Sequence, residues 1–196
     1  MTVTEPVADP GSAARPIRST TVRAISVLLV VAGLLLVTFV RYGQMAEAQL
    51  NGALLNALNI ASAEVYGTAV VFLPPVEAYV GYRVDAGCTA TLLVIPFFFL
   101  TAGLLSFSRL SPRRCLAALG IVIVLIYAAN QARMLLIAGL MRLLGGERGY
   151  EASHVFLGTV VSTLGVLVAI VVFVAVLTGW RPSRSRSRVQ ELSPVG

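Results

Sequence analysis

Three residues in this chain have side chains that suit covalent chemistry. Cys88 lies in "YRVDAGCTATLLVIPFFFL", residues 82 to 100, just ahead of an uncharged run. Arg133 interrupts the apolar stretch "LAALGIVIVLIYAANQARMLLIAGLM". His154, the only histidine, sits in "ASHVFLG" at the head of the last apolar run. A free thiol has a pKa of about 8.5, and its thiolate is the nucleophile. A cation beside it favours the thiolate, and an imidazole takes or returns a proton near neutral pH. An arginine stays charged and stabilises the oxyanion formed when a thiolate attacks a carbonyl. Together the three suit peptide-bond cleavage through a thioester, followed by transfer to water or an amine. Read singly, each has a plainer role. Cys88 would be a small packing residue and His154 an incidental interfacial one. Arg133 would snorkel, or pair with Glu147 or Glu151.

Whether the three meet depends on the elements that carry them. Of the 196 residues, 57% are hydrophobic and only 12% charged, about half the charged share of a soluble domain. Several uncharged runs approach the roughly 20 residues needed to cross a bilayer. The expected fold is therefore an all-α integral membrane protein, because backbone in lipid must satisfy its own hydrogen bonds. Four spans are predicted: Ala24 to Val40, Thr89 to Phe107, a third starting at Cys115, and Val155 to Leu177. Residues 1–22 and 181–196 read as disordered cytoplasmic tails, and 23–180 as one membrane-embedded bundle with an external segment at 42–87. The first span is read as an uncleaved anchor. Its 17 apolar residues exceed the usual core of a signal peptide, and the cleavage-like "AEA" at 46–48 lies well beyond it.

Every basic residue is an arginine. Arg15, Arg18, Arg23, Arg109, Arg113, Arg114, Arg181, Arg184, Arg186 and Arg188 fall on one side if four spans alternate. The positive-inside rule then places both termini in the cytoplasm. This account of the +6 charge requires no nucleic-acid partner; membrane lipid is the expected surroundings. In the external segment, Leu50, Leu54, Leu58, Ala61 and Val65 recur at helical spacing. Gln44, Glu47, Gln49, Asn51 and Asn56 supply a polar face. The segment is expected to form an amphipathic helix on the outer leaflet or over the bundle. "TAVVFLPP", residues 68–75, is too short to span and reads as a strand or re-entrant piece.

The alternation puts Cys88, Arg133 and His154 in one layer at the outer face. Leu116 to Arg133 is 17 steps, about 26 Å of helix at 1.5 Å per residue, against a hydrocarbon core of about 30 Å. A guanidinium facing lipid at the bilayer centre costs roughly 2.5–3.5 kcal/mol on insertion scales, so Arg133 should face the bundle interior or a wet cavity. Asn130 lies three residues earlier on the same face. Beyond Arg133 the helix either projects outward, bends near Gly139 or breaks. Cys115 opens the third span beside Arg113 and Arg114, about a membrane thickness from Cys88. A disulfide needs Cα atoms within about 7 Å, so the two should not pair.

The ordered set resembles the exosortase/archaeosortase family of membrane-embedded cysteine transpeptidases. The likeness rests on "AGCTA", on Asn130 and Arg133 in "NQAR", and on His154 in "ASHVFLG", and it covers roughly residues 60 to 178. It implies Cys88 as nucleophile, His154 as general acid and base, Arg133 stabilising thiolate or oxyanion, and Asn130 in support. It also implies a substrate protein ending in a short motif, a hydrophobic helix and a basic cluster, cut at the outer face of the plasma membrane and passed to an acceptor. The sequence departs from that pattern in two ways. The family often shows Ser-Gly after the cysteine, where this chain has Thr89 and Ala90. Many members also have more than four spans.

No metal or other cofactor is expected, since one His and one external Cys fall short of a zinc ligand set. A different reading makes the chain a non-enzymatic scaffold or assembly subunit of a cell-envelope complex. A transporter fragment is less well supported, because no repeats or paired broken helices are present. Under the transpeptidase reading, Cys88 should be reachable from outside and unusually reactive at neutral pH.

Overall fold

The computed structural model describes residues 20–72, 79–108, 110–145, 149–150 and 158–179. In chain order the elements are α1 (Thr20–Thr38), α2 (Val40–Ala57), β1 (Ala63–Tyr66), β2 (Ala69–Phe72), β3 (Val80–Arg83), α3 (Ala90–Phe107), α4 (Pro112–Leu144) and α5 (Gly158–Thr178). Four of these, α1, α3, α4 and α5, are long and apolar enough to cross a membrane. The chain is mostly helical, and these four helices are consistent with a multi-pass membrane protein.

The four helices follow the expected spans with shifted ends. Helix α1 begins at Thr20, so the last residues of the expected N-terminal tail are already helical. Helix α3 begins at Ala90 because Thr89 is extended and caps it, its hydroxyl accepting from the Thr91 N–H at 3.2 Å. A capping hydroxyl satisfies one of the donors a helix start leaves unpaired. Helix α4 runs unbroken through Arg133 and Gly139 for 33 residues. That is about 50 Å of helix, well beyond the hydrocarbon thickness of about 30 Å. Of the three outcomes expected past Arg133, the break does not occur: the helix continues to Leu144 and ends at Gly145, whose positive φ of 88° releases it. The first residues expected in span four, 155–157, lie outside the described residues.

Within the bundle, α4 packs on α5, α1 on α3, and α3 on α4. Gly165 of α5 faces Ala129 of α4 so closely that an added Cβ would sit 2.7 Å from the alanine methyl. Phe97 of α3 meets Phe173 of α5 edge-on at 5.5 Å. Val94, Leu105, Leu119, Val122 and Ile126 fill the space between them. Outward-facing residues such as Val27, Leu28, Leu164, Leu167 and Val171 are exposed, as suits helices whose solvent is lipid.

The external segment departs from the all-α expectation. Strands β1, β2 and β3 form an antiparallel sheet in that order, with Tyr66 opposite Ala69 and Val70 opposite Tyr82. A two-residue turn, Gly67–Thr68, joins β1 to β2, and Gly67 takes the positive φ of 64° that such hairpins favour. Residues 68–72 of "TAVVFLPP" thus supply a turn residue and strand β2, while 73–75 lie outside the described residues. The inner face of the sheet, with Val70, Phe72 and Tyr82, joins Leu55 and Ala48 of α2 and Met134, Ile137 and Met141 of α4 in a second core. Cys88 is part of this core.

Helix α2 is present but shorter than its apolar period indicated. Ala61 lies beyond it and Val65 belongs to β1. Leu50 and Leu58 point outward and are exposed. The buried stripe is Glu47, Ala48, Asn51, Gly52 and Leu55. Of the polar residues, Glu47 and Asn51 turn inward, where they find partners on α3, α4 and β3, while Gln49 and Asn56 stay exposed.

Candidate functional site

Cys88 belongs to the second core and stands two residues ahead of α3. A tight turn presents it. The Asp85 carboxylate accepts from the Gly87 N–H at 2.9 Å, and the Asp85 carbonyl accepts from the Cys88 N–H at 3.1 Å. Arg133 reaches this turn from α4. Its Nη1 donates to the Gly87 carbonyl at 3.2 Å, and its Nη2 lies 3.8 Å from the Cys88 sulfur, a long N–H···S contact. Arg133 is only 7% exposed, and its Nε, buried, has no hydrogen-bond partner among the described residues. Arginine therefore faces the interior, as its cost in lipid requires, and it retains unused donor capacity.

Asn130 takes hold of the same turn. Its amide donates to the Cys88 carbonyl at 2.8 Å and to Glu47 Oε2 at 2.7 Å. Spacing of three along α4 puts Asn130 and Arg133 on one face, so one helix grips both sides of the cysteine. His154 lies outside the described residues, as do Glu147 and Glu151. The structure thus brings Cys88, Arg133 and Asn130 together. Cys115 is buried in the first core, apart from Cys88 in the second. Among the described residues no cluster of His, Cys, Asp or Glu could hold a metal.

The surroundings of the thiol act on it in opposite directions. Cys88 is 7% exposed. Burial pushes its pKa above the ordinary thiol value; Arg133 pulls it down, while the neighbouring Asp85 carboxylate pushes it further up. Burial disfavours the charged form, and a single adjacent cation at this distance does not overcome it. Tyr150, just past α4, belongs to the same surroundings. Burial raises its pKa, and the charges of Cys88, Asp85 and Arg133 act on it.

Glu47 was read from the sequence only as part of a polar face, yet it is the most connected side chain of the site. It is 1% exposed. Oε1 accepts from the Thr89 hydroxyl at 2.6 Å, the Thr91 hydroxyl at 2.9 Å and the Thr91 N–H at 3.0 Å. Oε2 accepts from the Ala90 N–H at 2.9 Å and from Asn130. The carboxylate thus closes the N-terminus of α3, where unpaired N–H groups and the helix dipole favour an anion. Because the Thr91 hydroxyl gives its hydrogen to Glu47, Tyr127, 3.0 Å away, donates to Thr91.

A second polar chain extends to the sheet. The Tyr82 hydroxyl donates to Asn51 Oδ1, Asn51 Nδ2 donates to Gln131 Oε1 at 3.1 Å, and Gln131 Nε2 donates to the Glu47 carbonyl at 3.3 Å. Burial raises the Tyr82 pKa well above normal and keeps the hydroxyl a donor. One sequence signal for this face was available. Gly43, Glu47, Asn51 and Leu55 recur every four residues, with Ala48 and Gly52 beside them. That is a stripe of polar and small residues suited to close packing. Gly43 lies so near Thr91 that any Cβ there would overlap the threonine hydroxyl.

No family model matches the chain, and neither a curated protein nor a solved structure matches it.

Proposed function

We propose that the protein is a membrane-embedded cysteine transpeptidase or peptidase of the exosortase/archaeosortase kind, with Cys88 as nucleophile. The observation that carries this reading is the grip of Arg133 on the Cys88 turn: one guanidinium nitrogen on the preceding carbonyl, another beside the sulfur, and a third buried without a partner among the described residues. A buried cation with spare donors is suited to charge that appears only during reaction. Thr89 supports the resemblance despite the departure from Ser-Gly, since it keeps a hydroxyl directly after the cysteine and uses it to bond Glu47.

In the proposed reaction His154 removes the Cys88 proton as the sulfur attacks the scissile carbonyl. A raised thiol pKa fits proton removal during attack better than a preformed thiolate. Arg133 stabilises the oxyanion. The tetrahedral adduct collapses, the C–N bond breaks, and the departing amine takes the proton from His154. The resulting thioester is attacked by water or by an acceptor amine, which regenerates the thiol. The arginine distribution orients the chain with both termini in the cytoplasm and Cys88 at the outer face. The leucines that α2 turns outward then lie toward the outer leaflet. Its substrates are secreted proteins with a short motif, a hydrophobic helix and a basic C-terminal cluster.

The test is mass spectrometry of co-expressed tail-bearing substrates. Wild-type protein removes the tail, and Cys88→Ala inserts normally but leaves it intact. Normal processing by Cys88→Ala overturns the mechanism. The scaffold reading draws on one observation, the burial of the thiol, which pushes its pKa up. It predicts that converting Cys88, Arg133 and His154 together to alanine leaves function unchanged.

A further inference from the structure

The mechanism above does not use Glu47, although this carboxylate is almost fully buried and ties three elements to the cysteine. Its carrier, α2, is separate in sequence from both α3 and α4. Five donors converge on its two oxygens: two hydroxyls, two backbone N–H groups and one amide. This is the pattern of an acceptor-only carboxylate. Burying such a group costs several kcal/mol and rarely adds stability over apolar packing. Neither the thiol nor the guanidinium is bonded to it. Its route to the site is indirect: through Asn130, whose other hydrogen holds the Cys88 carbonyl, and through the first turn of α3, which begins two residues after the cysteine.

We infer that Glu47 is a positioning residue that fixes Cys88 against Arg133, working through Asn130 and the α3 N-terminus. The inference rests on the proposed role of Cys88 and Arg133 and adds the group that sets their separation. Asn130 spans only the distance between the Glu47 Oε2 and the Cys88 carbonyl, so displacement of one moves the other. Thr89 and Thr91 lock the same carboxylate from the opposite side. The docking of α2 therefore sets the placement of the nucleophile, and the external segment is part of the catalytic architecture.

The experiment measures coupling and needs no substrate. The full chain, carrying Cys115→Ala so that Cys88 is the only thiol, is purified in detergent. Alkylation of Cys88 by iodoacetamide is followed against pH by intact mass. In this background Arg133→Gln raises the midpoint of the profile and slows alkylation at pH 8 by about tenfold, since loss of an adjacent cation moves a pKa by about one unit or more. In the Glu47→Gln background the same Arg133→Gln change has less than a threefold effect, because the guanidinium no longer faces the sulfur. Glu47→Asp, which keeps the carboxylate, restores part of the coupling. Should Glu47→Gln not insert, Asn130→Ala cuts the same link while leaving the α3 cap in place, and it abolishes the coupling likewise. If the Arg133 effect persists at full size in Glu47→Gln or Asn130→Ala protein, Glu47 is structural only and the inference fails. The proposed activity is judged separately, by tail removal in wild-type protein, so either idea can fall without the other.

Discussion

Cys88 experiences two opposing influences, burial and a nearby cation, and burial dominates. The consequence is measurable without knowing the substrate. Alkylation of Cys88 at pH 7 should be slower than that of an exposed thiol and should rise with a midpoint above the ordinary thiol value. A midpoint below it would mean that Arg133 controls the resting state. Arg133 itself should not tolerate lysine. Lysine keeps the charge but lacks the planar fork that reaches both the Gly87 carbonyl and the sulfur. Arg133→Lys is expected to lower tail removal by at least about tenfold, worth roughly 1.4 kcal/mol of transition-state stabilisation; near-normal processing would make Arg133 a general counter-charge only. Much of this was legible in the sequence. A cysteine heading a span, and an Asn-x-x-Arg pair at a calculable depth, were enough to bring Cys88, Asn130 and Arg133 together. The raised thiol pKa was not legible, because it depends on how the sheet and α2 cover the cysteine.

Helix α2 shows why the remainder was hidden. Hydrophobic period assumes that apolar residues face the protein and polar ones face water. Beside a membrane, leucines also have an apolar outside, so Leu50 and Leu58 turn outward and Glu47 and Asn51 turn in. Only partners from distant sequence decide between the two orientations: the α3 N-terminus for Glu47, and Gln131 and Tyr82 for Asn51. Of the β-sheet only β2 was legible, as the strand alternative for residues 68–75, and β1 and β3 were missed for a related reason. Its four-residue strands gain stability by packing on α2 and α4, which no local pattern displays. Two substitutions test the element. Glu47→Ala leaves several buried donors unpaired, at about 1–3 kcal/mol each, so thermal unfolding in detergent should show a loss of at least about 3 kcal/mol. Gly43→Ala forces a methyl against Thr91 and should cost about 1–3 kcal/mol as overpacking. No change in either variant would mean that α2 is not docked on α3 as described.

At the scale of the whole molecule, four apolar helices support a small layer made of α2 and the sheet, and Cys88 belongs to the core of that layer. Under the proposed orientation, a phosphatase reporter that is active only outside the cell should be active when fused after residue 58 and inactive when fused after residue 196. The reverse pattern would put the cysteine on the cytoplasmic side, away from secreted substrates. The central claim is that Cys88 carries a covalent acyl intermediate, and intact mass spectrometry of the full chain incubated with a tail-bearing substrate tests it most directly. The account predicts an adduct at Cys88 that hydroxylamine releases, that falls in His154→Ala because the thiol keeps its proton, and that is absent in Cys88→Ala. Tail removal with no adduct at Cys88, undiminished in Cys88→Ala, would contradict it.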